Sequence, residues 1–170
     1  MIFRIRFAPM PSMKTLTCLF FALFVVSPVV LAQQAVKLEV TCNDQMTYNT
    51  KRLEVVAGQR VTLTLKNVGK IPAKTMGHNL VILKPDTPIA AFAGKAHAAK
   101  SKGYIPDAVE DRKWIVAHTR FLGGGESDTI TFTIQEPGRY PFICSSPGHF
   151  SERQGTLWVK EKAASAAPTR

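Results

Sequence analysis

The sequence predicts an all-β, two-sheet Greek-key sandwich with one inserted helix, and three observations point to it. Short alternating or β-branched runs recur along the chain between turn-forming clusters. A single Ala-dense stretch interrupts them, and no internal repeat is present. Seven or eight short strands with one helix are a set that buries its apolar faces as two packed sheets.

The first strand candidate is Val36 to Thr41, followed by Leu53 to Val56 and Arg60 to Asn67. In the third, Val61, Leu63 and Leu65 alternate with Thr62, Thr64 and Lys66, the pattern of a strand with one face on a core. Asn79 to Leu83 is a short apolar run. Pro88 near its start and Gly103 after its end bound a helix between Thr87 and Lys102. Asp128 to Gln135 repeats the alternation, with Ile130, Phe132 and Ile134 against Thr129, Thr131 and Thr133. Arg139 to Cys144 and Thr156 to Glu161 complete the set. Ala57-Gly58-Gln59, Asn67-Val68-Gly69, Gly123-Gly124-Gly125 and Glu136-Pro137-Gly138 are the turns between them.

Residues 1–32 read as a secretory signal, not as part of the fold. Arg4, Arg6 and Lys14 precede the apolar run Leu16 to Val26, and Val30-Leu31-Ala32 offers a cleavage site. Met13 is an alternative start that leaves the same mature chain. An uncleaved anchor is the competing reading, but the apolar core is short against the ~20 residues of a spanning helix. No later segment is apolar enough to span, so stable membrane insertion is not expected. Cys18 precedes the apolar core, which argues against a lipid anchor there. Residues 33–162 then form one domain, large enough to fold without disulfides, and the Ala, Ser and Pro-rich residues 163–170 form a disordered tail.

The leader's three cations account for three of the formal +10, so about +7 remains on the mature chain. That excess favours acidic partners or an anionic surface. Nucleic acid is excluded as a partner, because the Lys and Arg are scattered and no aromatic ladder runs among them. Two cysteines remain after the leader, Cys42 and Cys144, in a chain bound for an oxidising compartment. They could pair. Cys144, however, lies in a His-containing turn after an apolar strand, a place suited to a metal thiolate, which leaves Cys42 free or buried. An intermolecular Cys42 bridge is the remaining alternative.

The chemistry concentrates in two segments, Gly77-His78-Asn79 and Cys144-Ser145-Ser146-Pro147-Gly148-His149. Pro147-Gly148 forces a turn that lets Cys144 and His149 face one metal ion. His78, at the start of a strand elsewhere in the chain, can close on it from the other side. One thiolate with two imidazoles is the ligand set of a trigonal copper site, although zinc accepts the same groups. Asn79 is placed to bind the loop near Ser145, and backbone N–H groups can donate to the Cys144 sulfur.

These blocks carry a family resemblance. Asn43-Asp44-Gln45-Met46 with Tyr48-Asn49-Thr50, Met76 to Asn79, Val116 to Thr119 through Gly123-Gly124-Gly125-Glu126, and Cys144 through His149 to Gly155-Thr156-Leu157 resemble the azurins in order. Azurins are small blue-copper proteins of the cupredoxin fold, and the likeness runs from about Val36 to Lys160. It implies a cupredoxin-like sandwich binding one copper ion, with His78, Cys144 and His149 as equatorial ligands and the Gly77 carbonyl as a weak axial contact. His118 is by the same likeness a surface residue.

Departures from the family pattern accompany the match. Azurins carry an axial Met four positions after the second loop His, and here Arg153 stands there. A guanidinium has no lone pair to offer a metal. The axial position then has no ligand beyond the Gly77 carbonyl, or takes Gln154 from a shifted loop, or takes Glu152. The first is favoured by the ungapped run into Gly155-Thr156-Leu157, with Arg153 projecting to solvent or to a carboxylate such as Glu152. The azurin disulfide is missing, with Val36 and Gln59 near its two places. Ser146 replaces a bulky apolar residue, and Asn67 stands where azurins can have a buried titrating His.

The resemblance implies a periplasmic blue-copper carrier, not an enzyme, that passes single electrons between redox proteins such as cytochromes or reductases. A monomer is expected. The exposed edge of His149 is the natural port, with Met46, Ile71, Met76 and Phe150 as an apolar collar. Two other readings stay open: a copper-buffering or delivery protein, and a red-copper enzyme with an open coordination position.

Overall fold

The structure is a computed structural model that describes residues 35–163. The leader, residues 1–32, and the tail from residue 164 lie outside the described residues. Eight strands form two sheets: β1 (Val36–Cys42), β2 (Arg52–Val56), β3 (Arg60–Asn67), β4 (Val81–Leu83), β5 (Ile115–His118), β6 (Ser127–Thr133), β7 (Gly138–Ile143) and β8 (Gln154–Lys160). One sheet runs β1-β3-β6 and the other β2-β8-β7-β4-β5. The β1/β3 and β2/β8 pairs are parallel and the remaining pairs antiparallel.

The predicted alternation governs packing. Val61, Leu63 and Leu65 of β3 are buried, and Thr64 crosses to Thr129 of β6 on the outer face, with their hydroxyls 2.9 Å apart. Between the sheets these side chains meet Leu80, Ile82, Tyr140, Phe142, Leu157 and Val159. Strand β4 is buried on both faces, which is why it reads as a continuous apolar run. Its Val81 and Leu83 turn outward beneath the predicted helix, α2 (Ile89–Ala98), and pack with Phe92, Ala96 and Ile143. Two further short helices, α1 (Ala73–Met76) and α3 (Val109–Arg112), precede β4 and β5. None of the helices among the described residues is long and apolar enough to cross a membrane.

Two expectations need correction. Strand β5 has no counterpart among the candidates, because Ile115, Val116 and Ala117 are half-buried at a sheet edge and show no clean alternation. His78 does not begin a strand. It stands ahead of β4 in an isolated bridge to Leu122.

Candidate metal centre

That bridge holds His78 firmly. The His78 N–H donates to the Leu122 carbonyl at 2.9 Å, and the Leu122 N–H returns a bond to the His78 carbonyl at 2.7 Å. Gly77 before it is required by space, since an added Cβ would lie 2.2 Å from Cε1 of Phe121. Gly77→Ala is therefore expected to cost about 1–3 kcal/mol by overpacking. Urea unfolding measures this, and Phe121→Ala in the same chain should recover much of the loss.

Cys144 follows β7, and its N–H donates to the Arg153 carbonyl at 2.9 Å, closing the loop that carries His149. Within it the His149 N–H donates to the Ser146 carbonyl at 3.1 Å, the Arg153 N–H donates to the His149 carbonyl at 2.8 Å, and Gly148 takes φ +75°. Asn79 ties this loop to the His78 segment as anticipated. Its Oδ1 accepts from the Ser145 N–H at 2.9 Å, and its Nδ2 donates to Ser145 Oγ at 2.8 Å and to the Gly103 carbonyl at 3.1 Å. Ser145 Oγ donates in turn to the Tyr104 carbonyl at 2.7 Å.

The result brings His78, Cys144 and His149 together, with one ligand atom from each within 4.8 Å of the others. Cys144 Sγ lies 3.7 Å from His149 Nδ1, and the two imidazole centroids are 5.1 Å apart. His78 and Cys144 are fully buried, whereas His149 is half-buried. Burial pushes the Cys144 thiol up, opposed by N–H donors from Asn79 and Ser146 and by Arg153. Burial also depresses His78 to about 3, with help from Arg153 and His149, and lowers His149. Both rings are thus neutral at neutral pH and present lone pairs. His78 Nε2 is buried without a partner. A soft sulfur beside two neutral imidazoles fits copper, whose binding would release the thiol proton.

The same shift sets the pH response of the copper-free protein. Above about pH 6.5 the ring is neutral in folded and unfolded chains alike. Below it the unfolded chain takes up a proton that folded His78 refuses until about pH 3, so stability falls with falling pH. As pH falls from about 7.5 to 5.5, above the carboxylate range, the slope should steepen from near zero toward ~1.4 kcal/mol per pH unit for each excluded proton. Urea midpoints of the copper-free chain measure it, and a flat profile would contradict the burial of a neutral ring.

Arg153 departs from the expectation that it projects to solvent or to Glu152. It is fully buried and is the largest such side chain. Opposite residues of an antiparallel pair share a face; Ile143 pairs with Gln154, so the next pair, Cys144 and Arg153, points inward together. Its Nη1 contacts His78 Nδ1, its Nη2 donates to the Asn43 carbonyl at 2.6 Å, and its charge acts on the Cys144 sulfur, favouring the thiolate against burial. Glu152 and Gln154 are both exposed, and Gln154 Nε2 donates to the Ser151 carbonyl at 2.9 Å. Neither side chain is turned toward the site, which removes both as axial candidates.

The remaining residues fall as follows. His118 is exposed. Cys42 and Cys144 are both free and buried, and burial pushes Cys42 up to about 12. With 1 % of its surface exposed, Cys42 offers no sulfur for a bridge to a second chain. Asn67 is buried, accepting from the Gly69 N–H at 3.0 Å. Met46, Ile71 and Met76 are half-buried, while Phe150 packs on the cluster beneath α2.

Comparison with known proteins agrees with this geometry. Residues 34–160 match the copper-binding proteins of the plastocyanin/azurin family. Azurin of Alcaligenes faecalis is 38% identical over 119 residues, covering 68% of this chain and 91% of its own. Azurin of Achromobacter denitrificans is 37% identical over 134 residues, covering 76% and 87%. Among solved structures, auracyanin A, a blue copper protein of Chloroflexus aurantiacus, superposes with a TM-score of 0.67 at 29% identity. It covers 75% of this chain and 100% of its own. The azurin iso-2 of Methylomonas sp. strain J gives 0.63 at 29% identity, over 75% and 98%. The matched span contains both sheets and the segments bearing His78, Cys144 and His149, and the chain belongs to the plastocyanin/azurin family of copper-binding proteins, whose work is electron transfer and not catalysis.

Proposed function

We propose that His78, Cys144 and His149 are the copper ligands of a periplasmic carrier that passes single electrons between redox proteins. The observation that carries this reading is the convergence of one sulfur and two neutral imidazoles, from two distant segments, within 4.8 Å. Bound there, copper supplies a one-electron couple. The chain supplies rigidity: the Leu122 bridge, the Asn79–Ser145 bonds and the loop closure at Arg153 hold the three side chains before any metal arrives. A site held this way rearranges little when its charge changes.

His149 is the least buried member of the trio, and electrons pass through its edge to a docked partner. Cytochromes or reductases with an acidic face suit the excess of positive charge, in encounters that are small and transient. Residues 1–32 direct export, residues 33–162 are the working domain, residues 163–170 are a tail, and the mature protein is a monomer. Voltammetry of residues 33–170 loaded with one copper per chain tests the reading. A reversible one-electron wave is expected, and loss of copper on each cycle would instead favour a copper-buffering or delivery role.

A further inference from the structure

Arg153 places a permanent cation inside a site built for another cation. The guanidinium touches Nδ1 of His78 and the sulfur of Cys144, two atoms whose lone pairs a metal would use. Its other arm is anchored on the Asn43 carbonyl at 2.6 Å. The Tyr48 ring lies 5.9 Å from its centre, and its Nε is buried without a partner. The ion pairs among the described residues do not include Arg153. The nearby Asp44 carboxylate accepts from the Lys70 N–H at 2.9 Å and leaves its second oxygen buried and unpaired. Once a metal has displaced the Cys144 proton, the sulfur beside the guanidinium is the group that can offset its charge.

Charge counting then separates metals by valence. A thiolate and two neutral imidazoles sum to −1, so a monovalent ion brings the ligand set to zero and a divalent ion to +1. The adjacent guanidinium cannot discharge, and inside a dry site it repels the second charge far more than it would in water. It also withholds a fourth ligand, which zinc requires in a closed site and which cuprous ion, satisfied by thiolate and imidazole, does not.

We propose that Arg153 is a specificity-determining residue: a fixed internal cation that caps the ligand atoms in the copper-free chain and makes the site favour monovalent copper over divalent ions. The proposal rests on His78, Cys144 and His149 being the ligands. As metal enters, the guanidinium gives up its contacts with His78 and Cys144. Its charge remains nearby through the anchor on Asn43.

The test is anaerobic competition of the mature chain with a chromophoric Cu(I) chelator and, separately, with a Zn(II) chelator. The chains compared are the unaltered one, Arg153→Leu, which removes the charge without adding a ligand, and Arg153→Lys, which keeps the charge. Arg153→Leu should raise Zn(II) affinity about 100-fold while moving Cu(I) affinity less than about tenfold. Arg153→Lys should keep the unaltered ratio within about threefold. Arg153→Ala, which likewise removes the charge without adding a ligand, serves if leucine prevents folding and should shift the ratio in the same direction. A Zn(II) to Cu(I) ratio unmoved in the neutral variants, or moved equally by lysine, would overturn the proposal. Failure of the ligand assignment looks different: Cys144→Ser would then bind Cu(I) as tightly as the unaltered chain.

Discussion

Cys144→Ser is expected to abolish the visible thiolate band of the copper-loaded protein and to weaken Cu(I) binding at least about a thousandfold, ~4 kcal/mol. Cys144 contributes the one sulfur of the cluster, and soft thiolate is what draws copper from oxygen and nitrogen competitors. The fold should survive. Serine is nearly the size of cysteine, and its hydroxyl oxygen can accept the same N–H donors from Asn79 and Ser146 that now face the sulfur. The copper-free variant should therefore unfold within about 1 kcal/mol of the unaltered chain. Cys42→Ser is the control: buried outside the cluster, it should leave both band and affinity unchanged. A loss below tenfold in Cys144→Ser would contradict the assignment.

Arg153→Met should lower the reduction potential by an amount on the order of 100 mV. The oxidised site carries one more positive charge than the reduced one, so a buried neighbouring cation destabilises Cu(II) more than Cu(I). Two charges about 4 Å apart interact by ~4 kcal/mol at an effective dielectric of about 20, and a one-electron couple moves ~59 mV for each tenfold change in equilibrium constant. Relaxation takes part of that away. Because the guanidinium is fully buried, the shift should change little with added salt. Arg153→Lys should keep most of the native potential. Voltammetry decides the matter, and a potential that rises in Arg153→Met would reverse the sign of the argument.

Much of this architecture was legible in the residues. The alternation of Val61, Leu63 and Leu65, and that of Ile130 and Phe132, made β3 and β6 of the smaller sheet readable because one face of each is wet. The ligand loop was legible through Pro147-Gly148 and the turn they force. Strand β5 was not, since a half-buried edge has no contrast between its faces. Nor was the bridge of His78 to Leu122, which joins segments distant in sequence through backbone atoms alone.

Arg153 is the instructive case. A charged side chain beside exposed Glu152 reads as solvent-facing, and composition says nothing else. Register overrides that preference: once Ile143 pairs with Gln154, the side chains of Cys144 and Arg153 share the inner face. The guanidinium then meets Asn43, His78 and Cys144, partners that only the assembled site brings together.

The most direct test of the central claim is the visible and EPR spectrum of residues 33–170 loaded with Cu(II). An intense blue thiolate band with small copper hyperfine splitting is the predicted result, the signature of copper held by Cys144, His78 and His149 with no strong axial ligand. A colourless protein that takes up no copper, or a red or green species with large splitting, would contradict it.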